Sequence, residues 1–192
     1  MARYAVFASG NGGNFEALVE GLRGRHDCAL LVYDRHAAFA AERSRRLGVP
    51  ARYIRYAERP RELAESEIEG ELLRLRIDAI ALAGFMRLLS PAFVALHAGR
   101  ILNVHPSLLP AWPGSHSIAR AFQAGERRFG VTVHLVDEGV DTGPVLAQEA
   151  FVVDGSATLE EIEKRVHEIE HRIYPREASL FLDSLEASRR TA

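Results

Sequence analysis

Three things are scarce in this chain: cysteine, long apolar runs and an excess of one charge. Each scarcity removes a class of function. A single cysteine, Cys28, rules out an internal disulfide and fits a reducing compartment. It lies in the apolar run Asp27-Cys28-Ala29-Leu30-Leu31-Val32, so it reads as a small buried residue rather than a nucleophile. The longest apolar stretch, around Ala79 to Phe85, is far short of the roughly 20 residues a membrane span needs. The apolar run after Met1-Ala2-Arg3 ends at Ser9-Gly10-Asn11, too soon for a signal-peptide core. The expectation is a soluble, cytoplasmic protein with no membrane partner. With 24 Lys and Arg against 26 Asp and Glu, the net charge is −2. Nothing electrostatic therefore invites nucleic acid. Repeats, low-complexity runs and interdomain linkers are also missing.

What is present suits one domain over residues 1–192, 47% hydrophobic and long enough for a full core. Tyr4–Ala8, Ala29–Tyr33, Ala51–Ile54, Ala79–Ala83 and Ile101–Val104 read as strands. Asn14–Leu22, Ala38–Leu47, Pro60–Leu75, Pro91–Leu96 and Ile118–Ala124 read as helices, with Gly48 as a C-cap. In Pro60–Leu75 the pattern predicts an apolar stripe of Leu63, Ile68, Leu72 and Leu75, with Glu62, Glu65 and Glu69 outside it. The β-α-β-α order predicts an α/β fold, a doubly wound and mostly parallel sheet. Val131–Val136 and Val145–Val153 are strands with no helix between them, which predicts an antiparallel extension. Thr158–Leu185 is a long C-terminal helix opened by the capping-box pattern Thr158-Leu159-Glu160-Glu161 and broken or kinked near Pro175.

Between the first strand and first helix lies Ser9-Gly10-Asn11-Gly12-Gly13-Asn14. Glycines let the backbone approach an anion, and the helix start supplies free N–H groups. A Walker A loop would end in Gly-Lys-Ser/Thr, and no lysine is present here. A dinucleotide fingerprint needs a small residue where bulky Phe15 stands, although Asp34 ends the second strand where a ribose-binding acid would sit. A monophosphate nest and a plain Gly-rich turn remain.

In Asn103-Val104-His105 the amide and imidazole share one strand face, and Pro106 then stops the strand at the sheet end where α/β folds bind ligands. Asp141 follows in the turn Val140-Asp141-Thr142-Gly143-Pro144. His105 as a satisfied core histidine and Asp141 as a turn former are the bland alternatives. His116 and His134 are not at metal-ligand spacing from His105, so no metal is expected. Ser107 lacks a nucleophile elbow. A hydrogen-bond donor, an imidazole and a carboxylate without a protein nucleophile suit attack by a substrate amine on a carbonyl. Asn103 and a protonated His105 would hold the oxyanion. Asp141 would raise the histidine's pKa and move the proton.

These segments, with Leu82-Ala83-Gly84-Phe85-Met86-Arg87-Leu88-Leu89, Asn103 to Pro110, Val136 to Pro144 and Ile169-Glu170-His171-Arg172-Ile173-Tyr174-Pro175, resemble the folate-dependent formyltransferase family. Within it they resemble the glycinamide ribonucleotide branch, from about Tyr4 to Pro175. The resemblance implies a Rossmann-like fold with a phosphate-binding half over about residues 1–100 and a catalytic, folate-binding half over about 101–192. It implies 10-formyltetrahydrofolate as co-substrate and small-molecule partners only, in a monomer or homodimer. By the same resemblance Asn103, His105 and Asp141 are catalytic. Gly12, Gly13 and Asn14 hold the substrate phosphate, and Glu170 contacts its ribose. Met86, Arg87, Leu88 and Leu89, with Val136, Asp137, Glu138, Gly139, Val140 and Asp141, wall the folate beside Asn103. Arg61 and Arg87 face its benzoyl-glutamate end. For Met86, Leu88 and Leu89 ordinary core packing stays open, and for Arg61 and Arg87 a solvated charge. One departure is Gly13, where many members carry Ser or Thr. Related enzymes that formylate methionyl-tRNA, or hydrolyse the folate, carry an extra domain that 192 residues do not accommodate.

Overall fold

A computed structural model describes residues 1–191. Among these residues six helices and seven strands alternate up to β6, which β7 follows directly: β1 (Arg3–Ala8), α1 (Gly13–Gly21), β2 (Asp27–Tyr33), α2 (Ala40–Leu47), β3 (Ala51–Tyr53), α3 (Arg61–Leu75), β4 (Ala79–Leu82), α4 (Pro91–Leu96), β5 (Ile101–His105), α5 (Ser117–Gln123), β6 (Arg128–Leu135), β7 (Val145–Val152) and α6 (Leu159–Thr191). They form one sheet in the order β3-β2-β1-β4-β5-β6-β7. The first five strands run parallel, and β6 and β7 add on antiparallel. The predicted doubly wound sheet and its antiparallel extension are both present.

Strand alternation builds two cores. Along β1, Tyr4, Val6 and Ala8 face a layer that includes Phe15 and Leu18 of α1 and Val166, Ile173 and Tyr174 of α6. Ala5 and Phe7 face the opposite layer with Ile68 and Leu72 of α3 and Phe93 of α4. Sheets buried on both faces read as unbroken apolar runs, which is why β4 is Ala-Ile-Ala-Leu with every residue buried.

Three expectations need correction. On α3 the buried residues are Ala64, Glu65, Ile68 and Leu72, while Leu63 is 58% exposed. Glu65 is inside because its carboxylate accepts from the backbone N–H of Ser90 at 2.7 Å and from the Ser90 hydroxyl. Ser90 in turn caps α4, accepting from Phe93 N at 3.1 Å. Helix periodicity could not see that hydrogen-bonded partner. The second correction concerns Pro175, across which α6 runs without a break. Val166, Ile169, Ile173, Tyr174, Ala178 and Leu182 continue one buried stripe on both sides of it, and that burial outweighs one missing N–H. Third, the strand–loop–helix order at both segments predicts that Ser9–Asn14 and Asn103–His105 end neighbouring strands; they do lie at carboxyl ends of parallel strands, but β4 stands between β1 and β5.

Tyr174 anchors the site's floor. Its fully buried hydroxyl faces the Leu82 carbonyl at 2.9 Å and the Leu102 carbonyl at 3.1 Å, tying α6 to the end of β4 and the start of β5. The capping box at α6 forms as expected: Thr158 N donates to Glu161 Oε2 at 2.8 Å, and Glu161 N donates to Thr158 Oγ1 at 3.3 Å.

Candidate active site

The chain runs from β1 outward to β3, then returns to place β4 on the other side of β1. Such a reversal opens a crevice at the strands' carboxyl ends. Two cavities occupy it. The first, about 360 Å³, is lined by Leu82, Phe85, Asn103 and His134, by Arg61, Arg87, Leu88, Leu89, Pro91 and Val94, and by Val136 through Asp141. The second, about 290 Å³, is lined by Gly10 to Asn14, Arg43, Ala83, Gly84, His167, Glu170 and His171. Both flank the stretch Leu82–Phe85, so they are adjacent. Ser9 fixes that stretch, donating its N–H to Gly84 O at 3.1 Å and accepting from Met86 N at 2.8 Å.

The second cavity begins at the N-terminus of α1, where no side chain caps the helix, so first-turn amides are left for a ligand. Gly12 turns the chain at φ +80°, and a Cβ there would lie 2.8 Å from Ala40 Cα. Any side chain at Gly12 would push α2 away. A Cβ on Gly13 would sit 2.9 Å from His171 Nε2, so the imidazole occupies the room a Ser or Thr needs. Arg43 braces the loop, donating to Asn11 O at 2.9 Å and to Glu16. Across the cavity Asn14 Nδ2 donates to Glu170 Oε2 at 3.0 Å. Burial raises the Glu170 pKa, opposed by Asn14 and His167. Burial, with His167 and Arg43 nearby, lowers that of His171, and only Glu16 opposes.

In the first cavity Asp141 is the hub. It sits at φ +56°, a conformation Asp tolerates better than most residues. The turn that holds it there is tied by Asp137 Oδ1, which accepts from Gly139 N at 3.0 Å and the Thr142 hydroxyl at 2.7 Å. Asp141 Oδ2 accepts from Gly114 N at 2.7 Å and lies 3.2 Å from His105 Nδ1. Its Oδ1 is 3.4 Å from Asn103 Nδ2 and 3.6 Å from His134 Nε2. Burial alone would raise the Asp141 pKa. His134, the Gly114 N–H and His105 outweigh it, and the net position is below the usual carboxylate value.

His105 departs from expectation. Its Nε2 faces Trp112 O at 2.9 Å and its Nδ1 faces Asp141, and both contacts favour the charged ring. Burial opposes them, helped by His134 and Arg120, and holds the pKa below the ordinary imidazole value. Asp141 does pull the pKa upward, but burial wins.

Sequence reasoning missed His134. It pairs in register with Asn103 across β5 and β6. Its Nδ1 donates to Leu135 O at 2.8 Å, leaving Nε2 to accept from Asn103 Nδ2 at 3.1 Å. The signal was the alternation Val131-Thr132-Val133-His134, which puts two polar residues on one strand face. Of the other candidates, Met86 is 58% exposed and does not line the first cavity. The Ser107 hydroxyl is committed to Ala111 O at 2.6 Å. Burial pushes the Cys28 thiol up to about 12, which leaves it inert at neutral pH. No cluster of three His, Cys, Asp or Glu among the described residues is arranged to hold a metal, and no described helix is long and apolar enough to cross a membrane.

A family model described as formyl transferase matches residues 2–178. The chain belongs to the formyl transferase family. It is 45% identical over 179 residues to the phosphoribosylglycinamide formyltransferase of Bacillus subtilis, covering 91% of this chain and 92% of that one. The enzyme of the same name from Escherichia coli is 39% identical over 182 residues, covering 93% and 86%. The crystal structure of glycinamide ribonucleotide transformylase 1 from Geobacillus kaustophilus superposes with a TM-score of 0.90 at 47% identity, covering 95% of this chain and 99% of that one.

Proposed function

We propose that the chain transfers the formyl group of 10-formyltetrahydrofolate to the amine of glycinamide ribonucleotide, in purine synthesis. The observation that carries this is the adjacency of the two cavities. One offers free helix-start amides and a buried acid, suited to a phosphate and a ribose. The other is a larger, partly apolar cleft ending in arginines, suited to a folate. Asn103, His134 and Asp141 line this cleft, His105 lies 3.2 Å from Asp141, and neither Ser107 nor Cys28 offers a free nucleophile.

The amine attacks the formyl carbon directly. Asn103 Nδ2 keeps one N–H on His134, and its second contact, the 3.4 Å approach to Asp141, is the weakest of the cluster. That N–H turns to the developing oxyanion. Asp141, ionised at neutral pH, takes the proton leaving the amine. His105, neutral at rest, shares that proton through the 3.2 Å contact, and the pair returns it to the folate nitrogen as the carbon–nitrogen bond breaks. Gly12 to Asn14 and Glu170 hold the ribonucleotide. Leu88, Leu89 and Val136 to Val140 wall the pterin, while Arg61 and Arg87 meet the acidic end and Met86 lies at the rim. Residues from both halves of the chain build each cavity, so we read residues 1–192 as one functional unit working in the cytoplasm, as monomer or homodimer.

A formyl-transfer assay with both substrates, run beside His105→Ala, tests the reading. The wild type is expected to turn over and the variant to lose nearly all rate. A formyl group trapped on Ser107 or Cys28 would falsify direct attack.

A further inference from the structure

Asp34 directly follows β2, with its side chain wholly buried at 0% exposure. Its Oδ2 accepts from Arg87 Nε at 2.5 Å, and Oδ1, also buried, has no partner. The acid is thus committed inward and is not offered to a ribose. Tyr56 covers the guanidinium, with the Arg87 Cζ 5.5 Å from the ring centroid. Tyr56 is itself set by an edge contact to Phe85, centroids 5.9 Å apart. Its buried hydroxyl makes no hydrogen bond, so the ring rather than the phenol does the holding. Arg87 lines the first cavity, and no described residue accepts from its two terminal nitrogens.

A sealed carboxylate is a poor device for stability alone, since a buried ion pair is commonly no better than apolar packing. What this one supplies is direction. With Nε and one face of the guanidinium taken, the free edge carries the two parallel N–H groups that match a carboxylate bidentately.

We propose that Asp34 and Tyr56 are positioning residues that aim the free edge of Arg87 at a carboxylate of the formyl donor, making the donor's acidic tail a specificity element of the first cavity. The inference rests on the proposed function, because it takes the donor to be a folate carrying a glutamyl group. Without Asp34 the long arginine side chain samples many rotamers and loses that aim, while the pterin walls and the Asn103–Asp141 cluster are untouched.

The test is equilibrium binding of two probes, tetrahydrofolate and its analogue lacking the glutamyl group, to wild type, Asp34→Asn, Tyr56→Phe and Tyr56→Leu. Thermal melts check that each variant is folded. Asp34→Asn and Tyr56→Leu are expected to lose about five- to tenfold in affinity for tetrahydrofolate, part of the strength of a charge-assisted hydrogen bond, and almost nothing for the analogue. Tyr56→Phe should match wild type for both. Should Asp34→Asn not fold, the Leu and Phe variants of Tyr56 carry the same comparison. Equal losses on both probes, or an unchanged ratio in the variants of a wild type that binds, overturn this inference alone. A wild type that binds neither probe overturns the functional reading with it.

Discussion

Gly13 and His171 share one small volume. Because a Cβ at position 13 would come within 2.9 Å of His171 Nε2, Gly13→Ser is expected to weaken phosphate binding even though it adds a donor. The double variant Gly13→Ser/His171→Ala should recover much of the loss, and Michaelis constants for the ribonucleotide will show it. Additive losses would sink the shared-volume argument. At the chemical centre, losing one oxyanion donor typically costs about a hundredfold to a thousandfold in rate. On the proposed mechanism Asn103→Ala and Asp141→Asn should lose that much turnover, with a much smaller loss of folate affinity since both also line the first cavity. Their combined loss should fall well short of the product, since both act on one transition state. Asp141→Asn should also lower the His105 pKa further, because it removes a charge that raises it. A histidine titration followed by NMR reads that shift directly.

Among the elements, α4 depends on a partner it does not touch in sequence. Ser90 caps it and is held by Glu65 of α3, so Ser90→Ala removes a cap and leaves a buried carboxylate short of one donor. The expected loss is about 1–3 kcal/mol, measured by urea unfolding. Pro91 and Val94 line the first cavity, so on the proposed assignment the same change should raise the folate Michaelis constant more than that of the ribonucleotide. An unchanged midpoint would show that Glu65 is satisfied in some other way. The C-terminal helix makes the complementary point. Its Tyr174 hydroxyl meets two strand carbonyls, and its Glu170 and His171 line the second cavity, so packing and cavity lining lie three residues apart.

For the molecule as a whole, acid should unfold it through its histidines. His97, His105 and His171 all sit below the ordinary imidazole value of 6.5, with burial the largest cause in each. The unfolded chain therefore takes up protons first as the pH falls. Their contribution to stability is complete above about pH 6.5 and is lost as the pH drops through the lower folded values. Asp141, held below 3.8, contributes stability above its unfolded value and loses it only in stronger acid. Unfolding midpoints in urea at pH 8, 6.5 and 5.5 should fall at the last step. A midpoint that rises from pH 6.5 to 5.5 would contradict this account.

By itself the sequence determined the element order, the parallel sheet with its antiparallel extension, the glycine loop and the Asn103, His105 and Asp141 constellation. All but one are properties of short range, set by strand alternation and turn chemistry; Asp141, 38 positions from Asn103, was joined to the set by its residue type and by the family resemblance. It could not determine which acid goes inside, because Glu65 and Asp34 are buried by partners 25 and 53 positions away. Strand alternation marked His134 only as one of two polar residues on a face; its importance comes from facing Asn103 across an antiparallel pairing 31 residues apart in sequence. Nor could the sequence settle the charge of His105. A nearby carboxylate is visible in a motif, but the depth of burial that overrides it exists only once β5, β6 and the loop carrying Trp112 have closed around the ring.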